Sequence, residues 1–171
     1  MCASCGATLA AGARFCHRCG AATAGGGPTL ASIDSRDAAA GTWFIGLAGE
    51  RVDGGGFAPA ALAAGAWGVL IASEHAEPAL ASHAQGAVLT AADPLAALQR
   101  LANAWRHELG AQVIGVTGST GKTSTKDLLL GLLAPQRLTV ASQANFNTEI
   151  GLPLQILAAP AGTEVLVLEM G

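Results

Sequence analysis

Hydrophobic residues fall in short runs separated by glycine, proline and polar positions, and two kinds of run alternate along the chain. "TWFIGLAG" from Thr42, "WGVLIAS" from Trp67 and "GAVLTA" from Gly86 are compact apolar stretches of strand length. "FAPAALAAGA" between the first two reads as a helix ended by Gly65. "DPLAALQRLANAWRHEL" is the clearest amphipathic helix: Asp93 stands at the N-cap, Pro94 in the first turn, and Leu95, Leu98, Leu101 and Trp105 are predicted to share one face. Beyond it, "QVIGV" reads as a strand, "GKTSTKDLLLGLLA" as a helix stopped near Pro135, and "LTVAS" and "TEVLVLEM" as strands. Strands alternating with helices predict an α/β fold with parallel pairing in a doubly wound sheet.

The same pattern divides the chain. Residues 34–109 form a first α/β region and 110–171 a second. "AATAGGGPTLA" (21–31) is Gly-rich, and 23–33 is expected to be a flexible linker. The second region reaches Gly171 just after its third strand, with few helices to cover the sheet. It is therefore expected to be the start of a larger domain, truncated here, and the chain alone is expected not to turn over.

Composition narrows the function classes. Of 171 residues, 51% are hydrophobic and 12% charged, which is globular rather than disordered. A net charge of −3 supplies no basic field for nucleic acid or an anionic membrane. The stretch from Gly54 to Ser73 carries no charge and is long enough to cross a bilayer. Its glycines, Pro59 and many alanines fit a helix plus a buried strand better. The N-terminus has no basic start followed by an apolar core, so it is not a signal peptide; a cytoplasmic protein without a membrane partner is expected.

All four cysteines lie in residues 1–22, as Cys2-x2-Cys5 and Cys16-x2-Cys19. Each pair offers two thiolates on one turn, and the glycine after each second cysteine lets the backbone turn tightly. Four such ligands suit a tetrahedral structural Zn²⁺ site; the alternative is a pair of redox dithiols. "CGATLAAGARFCHRCG" resembles short zinc ribbons, which implies a docking or structural module with a protein partner. His17 reads as a surface residue, as do His75, His83 and His107, which read as surface or packing positions.

"VIGVTGSTGKTSTKDLLLGLL" carries the main chemical signal. A common phosphate loop reads G-x-x-x-x-G-K-[ST], which would put its first glycine at 116, where Val116 stands. The requirements of a phosphate site are nevertheless met. A strand leads through Gly118 and Gly121 to a helix N-terminus, whose free N–H groups and dipole attract anions. Lys122 supplies a positive charge for the β- and γ-phosphates, and Thr123 a hydroxyl for Mg²⁺.

The shortened loop resembles the T-G-x-x-G-K-[ST] loop of the Mur ligase superfamily. "DSRDAAAGTWFIGLAGERVDGGG" resembles the start of their UDP-binding domain, "ANFNTEIGLPLQIL" a segment after their second ATPase-domain strand, and "VLVLEMG" a strand ending in E-[LM]-G. "GSTGKTSTKD", with Lys126, most resembles the branch that adds D-Ala-D-Ala. Ala144 stands where that pattern has glycine, and Gly55 and Gly56 where a histidine or polar residue often follows the D-G turn.

The resemblance implies a small UDP-substrate domain at 34–109 and the start of a P-loop ATPase domain at 110–171. It implies an ATP-dependent amide ligase of peptidoglycan precursor synthesis, joining D-Ala-D-Ala to UDP-N-acetylmuramoyl-tripeptide through an acyl phosphate. ATP would lie on Thr117, Gly118, Ser119, Thr120, Gly121, Lys122, Thr123 and Ser124, with Mg²⁺ on Thr123 and Glu169. Lys122 and Glu169 would be the catalytic pair, Ser35 and Arg36 would meet the UDP-substrate, and Asn145, Asn147 and Thr148 would orient nucleotide or substrate. Arg36 also suits a structural ion pair, the asparagines suit a turn, and Arg51 and Asp53 fit a local turn. The alternatives are a ligase adding the third stem-peptide residue, or a non-catalytic zinc-ribbon adaptor that binds nucleotide.

Overall fold

The computed structural model describes residues 28–82, 84–143 and 146–171; the four cysteines, His17, His83, Ala144 and Asn145 lie outside them. The chain divides into two compact units, Met1–Ala92 and Asp93–Gly171.

In the first unit, β1 (Leu30–Ser32), β2 (Thr42–Ile45), β3 (Gly68–Ala72) and β4 (Ala87–Ala91) form one sheet in sequence order, with every neighbouring pair parallel. Helices α1 (Ala58–Ala63) and α2 (Ala76–Ala81) supply the crossovers from β2 to β3 and from β3 to β4. Phe44, Val69 and Ile71 from the strands pack with Ala58, Ala61, Leu62 and Ala79 from the helices. All four residues of β2 are buried, which is why Trp43, Phe44 and Ile45 form a continuous apolar run rather than an alternation, and the Thr42 hydroxyl donates to Asp37 O at 3.0 Å. The uncharged stretch 54–73 becomes a short 3-10 turn, α1 and β3; among the described residues no helix is long and apolar enough to cross a membrane. β1 occupies the end of the segment read as linker: Thr29 N–H bonds Gly41 O at 2.8 Å, and the strand then pairs with β2. Three residues beside a proline and a glycine run are too few to show as a strand in a hydrophobic pattern.

The second unit holds α3 (Pro94–Leu109), β5 (Gln112–Val116), α4 (Lys122–Leu133), β6 (Thr139–Ala141), α5 (Gly151–Ala158) and β7 (Val165–Glu169). Its sheet runs β5-β7-β6, all parallel. β7 is central, and Val165, Leu166, Val167 and Leu168 are all buried. Leu166 and Leu168 pack on one face with Ala159 and, from α5, Leu152 and Ile156. Val165 and Val167 pack on the other with Leu129 and Leu133 of α4.

Helix α3 lies against α5 and belongs by its contacts to this compact unit. Trp105 Nε1 donates to Ala159 O at 3.0 Å, and Gln99 Nε2 to Glu149 O at 3.3 Å. Asp93 Oδ1 accepts the Ala96 N–H at 3.0 Å, and Gly110 ends the helix at φ +63°. The packed stripe differs from the predicted face. Ala97, Leu98 and Ala102 are buried while Leu101 is exposed, since small alanines let a neighbouring backbone approach closely.

Candidate functional site

The strand-loop-helix of the second unit forms as the sequence requires. β5 ends at Val116, residues 117–121 turn, and α4 starts at Lys122. Gly118 has φ +144° and Gly121 φ +76°, conformations that a side chain disfavours. No side chain caps α4; Thr125 N–H bonds back to Gly121 O at 2.9 Å. The amides of Lys122, Thr123 and Ser124 precede that bond, so they are free of the helix ladder and available to an anion. Thr117, Gly118, Ser119, Thr120 and Gly121 are all exposed, and Lys122 is half-buried.

Parallel register sets the opposite wall. Val116 of β5 pairs with Glu169 of β7, so the loop leaves one strand beside a carboxylate at the end of its neighbour. Met170 N–H bonds Val116 O at 2.9 Å, and Thr123 Oγ1 donates to Glu169 Oε2 at 3.1 Å. A hydroxyl and a carboxylate in contact, at the C-terminal ends of parallel strands, are hard oxygen donors of the kind Mg²⁺ takes beside phosphates. The donor chemistry therefore fits a magnesium–nucleotide site. The end of the Met170 side chain covers the exposed Gly115 before the loop: a Cβ there would come 2.5 Å from Met170 Cε.

The polar loop after β6 reaches the same strand ends. Asn147 O accepts the Gly171 N–H at 3.0 Å. Thr148 is used structurally, its hydroxyl accepting the Gly151 N–H at 3.0 Å at the start of α5. Two residues that the pattern did not assign to the site also converge here. Ser142 Oγ accepts the Glu169 N–H at 2.7 Å, and buried Lys126 Nζ donates to Ser142 O at 3.0 Å. Lys126 marks the motif's branch but nothing in the sequence gives it a role, and a serine after a strand carries no signal at all; only the pairing of strands brings the two together.

In the first unit, Ser35 and Arg36 lie in a 3-10 turn, Ser35–Asp37, capped by Asp34. Arg36 is ion-paired with Asp34, Nε lying 2.8 Å from Oδ1, while its own side chain stays 88% exposed. The guanidinium bond holds the Asp34 carboxyl at about 2, below the ordinary 3.8, and the Asp34 carboxylate in turn raises Arg36. Asp53 closes a second turn, with Oδ1 accepting the Gly55 N–H at 2.9 Å and Oδ2 lying 2.8 Å from His75 Nε2. The bond to His75, then that to Gly55, lowers the Asp53 pKa. The turn is tight: a Cβ on Gly55 would lie 2.1 Å from His75 Cδ2, and one on Gly46 would lie 2.7 Å from Gly55 Cα. His75 is thus a packing residue with a named partner, and Asp53 holds a turn.

A parallel sheet whose strand end feeds a glycine turn, a lysine and a hydroxyl at a helix N-terminus, with a carboxylate across from them, has the construction of a phosphate-loop α/β protein. Two family models match almost all the described chain: "Mur ligase family, catalytic domain" over residues 29–106 and "Mur ligase middle domain" over 116–171. The chain belongs to the Mur ligase family. It is 48% identical over 128 residues to the UDP-N-acetylmuramoyl-tripeptide–D-alanyl-D-alanine ligase of Bacillus subtilis, covering 75% of this chain and 27% of that protein. It is 49% identical over 107 residues to the UDP-N-acetylmuramoyl-L-alanyl-D-glutamate–2,6-diaminopimelate ligase of a Synechococcus, covering 59% of this chain and 21% of that one. Among solved structures it is similar to the MurF ligase of Thermotoga maritima in complex with ADP, with 32% identity and a TM-score of 0.67, covering 82% of this chain and 31% of that one. The chain thus spans about a third or less of the length of these relatives.

Proposed function

We propose that the chain carries the UDP-substrate-binding and ATP-binding portions of an ATP-dependent amide ligase of cytoplasmic peptidoglycan precursor synthesis. The acceptor is UDP-N-acetylmuramoyl-tripeptide and the incoming amine is D-Ala-D-Ala. The observation that carries the reading is the Thr123–Glu169 contact at the N-terminus of α4, in a chain 48% identical to a relative named for that reaction.

The amides at 122–124 and the Lys122 ammonium bind and orient the nucleotide phosphates, concentrating positive charge where negative charge builds up. Thr123 and Glu169 would hold Mg²⁺, which would supply charge neutralisation for the nucleotide phosphates. Transfer of the γ-phosphoryl group to the tripeptide carboxylate gives an acyl phosphate and ADP. Attack by the D-Ala-D-Ala amine forms the amide and releases phosphate, with one proton lost from the amine. The contribution of these residues is positioning and electrostatics. Ser35 and Arg36 are assigned to the UDP-substrate, and Asn145 and Asn147 to orientation beside the nucleotide.

The test is calorimetric titration of the chain with ADP in the presence and absence of Mg²⁺, followed by amine-dependent ADP release from a protein of the relatives' full length. Magnesium-dependent ADP binding that Lys122→Met weakens roughly 10–150-fold, with release driven by D-Ala-D-Ala, is expected. No binding by the chain overturns the ATP assignment. Release driven by diaminopimelate instead favours the second reading, addition of the third residue, which the 49% identity to the diaminopimelate ligase supports. For residues 1–22, Cys2, Cys5, Cys16 and Cys19 are assigned to one structural Zn²⁺, on a module that docks a protein partner. Metal analysis of anaerobically purified protein is expected to find about one equivalent; well under half an equivalent overturns it.

A further inference from the structure

Helix α4 buries the wrong kind of residue for a packing helix. Leu128 and Leu132 are 68% and 69% exposed, while Lys126 is 8% exposed and is the helix's buried residue. An ammonium taken out of water is destabilising unless its donors are used. Lys126 Nζ donates to the Ser142 carbonyl at 3.0 Å and lies 3.0 Å from Asp127 Oδ1.

Ser142 is itself 2% exposed and sits just past the end of β6. It is bonded on three sides. Its N–H donates to Val167 O at 2.9 Å, its carbonyl accepts Lys126, and its hydroxyl accepts the Glu169 N–H at 2.7 Å. The Glu169 side chain then accepts from Thr123 Oγ1. A closed circuit of hydrogen bonds therefore runs from the second turn of α4, through the end of β6, to the end of β7 and back to the first turn of α4. The Lys126–Ser142 bond is buried and the Ser142–Glu169 bond part-buried, so water competes little for them, while the Thr123–Glu169 end is open to solvent. The circuit also joins the two structural pieces on which a metal-bound nucleotide would depend, the helix N-terminus and the strand-end carboxylate.

We infer that Lys126 is a positioning residue, which anchors Ser142 and through it fixes the backbone of Glu169, so that the carboxylate stands ready to share a divalent cation with Thr123. The inference deepens the ATP assignment and rests on it. Lys126 touches neither nucleotide nor metal in this role.

The test uses Lys126→Met, which keeps much of the side chain's bulk without its charge, and Ser142→Ala, which removes only the hydroxyl. Two readouts are taken on the whole chain: hydrogen exchange at the Glu169 amide without nucleotide, and the Mg²⁺ concentration that half-saturates ADP binding. Each variant is expected to speed exchange at the Glu169 amide about tenfold more than at the Leu166 amide of the same strand, as for loss of one buried hydrogen bond. Each is expected to raise the half-saturating Mg²⁺ several-fold while leaving Mg²⁺-free ADP binding unchanged, and the double variant to be no worse than the stronger single one. Uniform acceleration along β7 with an unchanged Mg²⁺ requirement overturns the inference and leaves Lys126 as a packing residue. Should Lys126→Met fail to fold, Lys126→Gln, whose shorter uncharged side chain cannot hold the same bond to the Ser142 carbonyl, is read by the same two measurements, because Ser142→Ala tests only the link from Ser142 to Glu169. Absence of ADP binding by the unsubstituted chain sinks the ATP assignment instead, while exchange at Glu169 still reports on the anchor.

Discussion

Polar side chains are organised differently in the two compact units. In the first, Asp34 bonds Arg36 and Asp53 bonds Gly55, each only two residues away, and the second turn is closed by His75, 22 residues on. In the second, the bonds around the phosphate loop span 16, 27 and 46 residues of sequence. Local turns of the first kind form wherever the chain supplies an Asx-type cap, whatever the sheet does. The second kind exists only once β6, β7 and α4 have come together. The first unit therefore presents preformed surface turns, and the second a site whose geometry is a property of the whole sheet.

The largest effect should come from the shared basis of the first unit. Phe44 is fully buried among β3 and α1 residues, and Phe44→Ala should cost about 3–5 kcal/mol. Urea unfolding followed by hydrogen exchange should show the loss in the first unit's strands; equal loss along β7 would break the division into two units. Next, Lys122→Met should weaken magnesium–ADP binding by roughly 10–150-fold, the loss of a charged hydrogen bond, with little change in unfolding midpoint. A fall in stability with unchanged binding would make Lys122 a structural residue.

Gly121→Ala forces a side chain into φ +76° at the head of α4 and should cost about 1–2 kcal/mol, read by thermal or urea unfolding. No atom lies within 4 Å of the added Cβ, so strain and not collision would be the cause. Asp53→Ala should cost about 0.5–2 kcal/mol at neutral pH through the lost cap. The sign follows from the lowered Asp53 pKa: its contribution is complete above the ordinary 3.8 and is lost as pH falls through the lower, folded value. Unfolding curves of wild type and variant should thus converge in acid; a gap that widens in acid would contradict the carboxylate's role. Smallest in stability is Arg36→Ala, whose exposed side chain should leave the unfolding midpoint unchanged, while UDP-substrate binding measured by calorimetry weakens. Unchanged binding would leave Arg36 with only its partner Asp34.

Much of this fold is legible in the chain itself. The runs at 42–45, 68–72 and 165–169 are strands buried on both faces, with no polar alternation to place on a solvent face, and 112–116 also emerges as a strand although only Val116 of it is buried. Asp93, Pro94 and Gly110 mark the ends of α3 through local backbone chemistry. Helix α5 is less legible. Pro153 sits in "GLPLQILA", but its missing N–H falls in the first turn, where no helical bond is required. Helix α2, "AEPALA", is only 6 residues long, too short for periodicity to register.

What the sequence determined alone is the set of local devices: strand runs, caps, the left-handed glycines, and a lysine and a hydroxyl at a helix N-terminus. These follow from single residues and their neighbours, so neighbouring letters suffice to read them. What the tertiary structure decided is which distant groups meet. It buried Lys126 while exposing Leu128 and Leu132, hid Ala97 and exposed Leu101, and set Glu169 against Thr123. Those outcomes depend on the β5-β7-β6 order and its register, because a strand paired elsewhere would carry Glu169 and Ser142 away from α4.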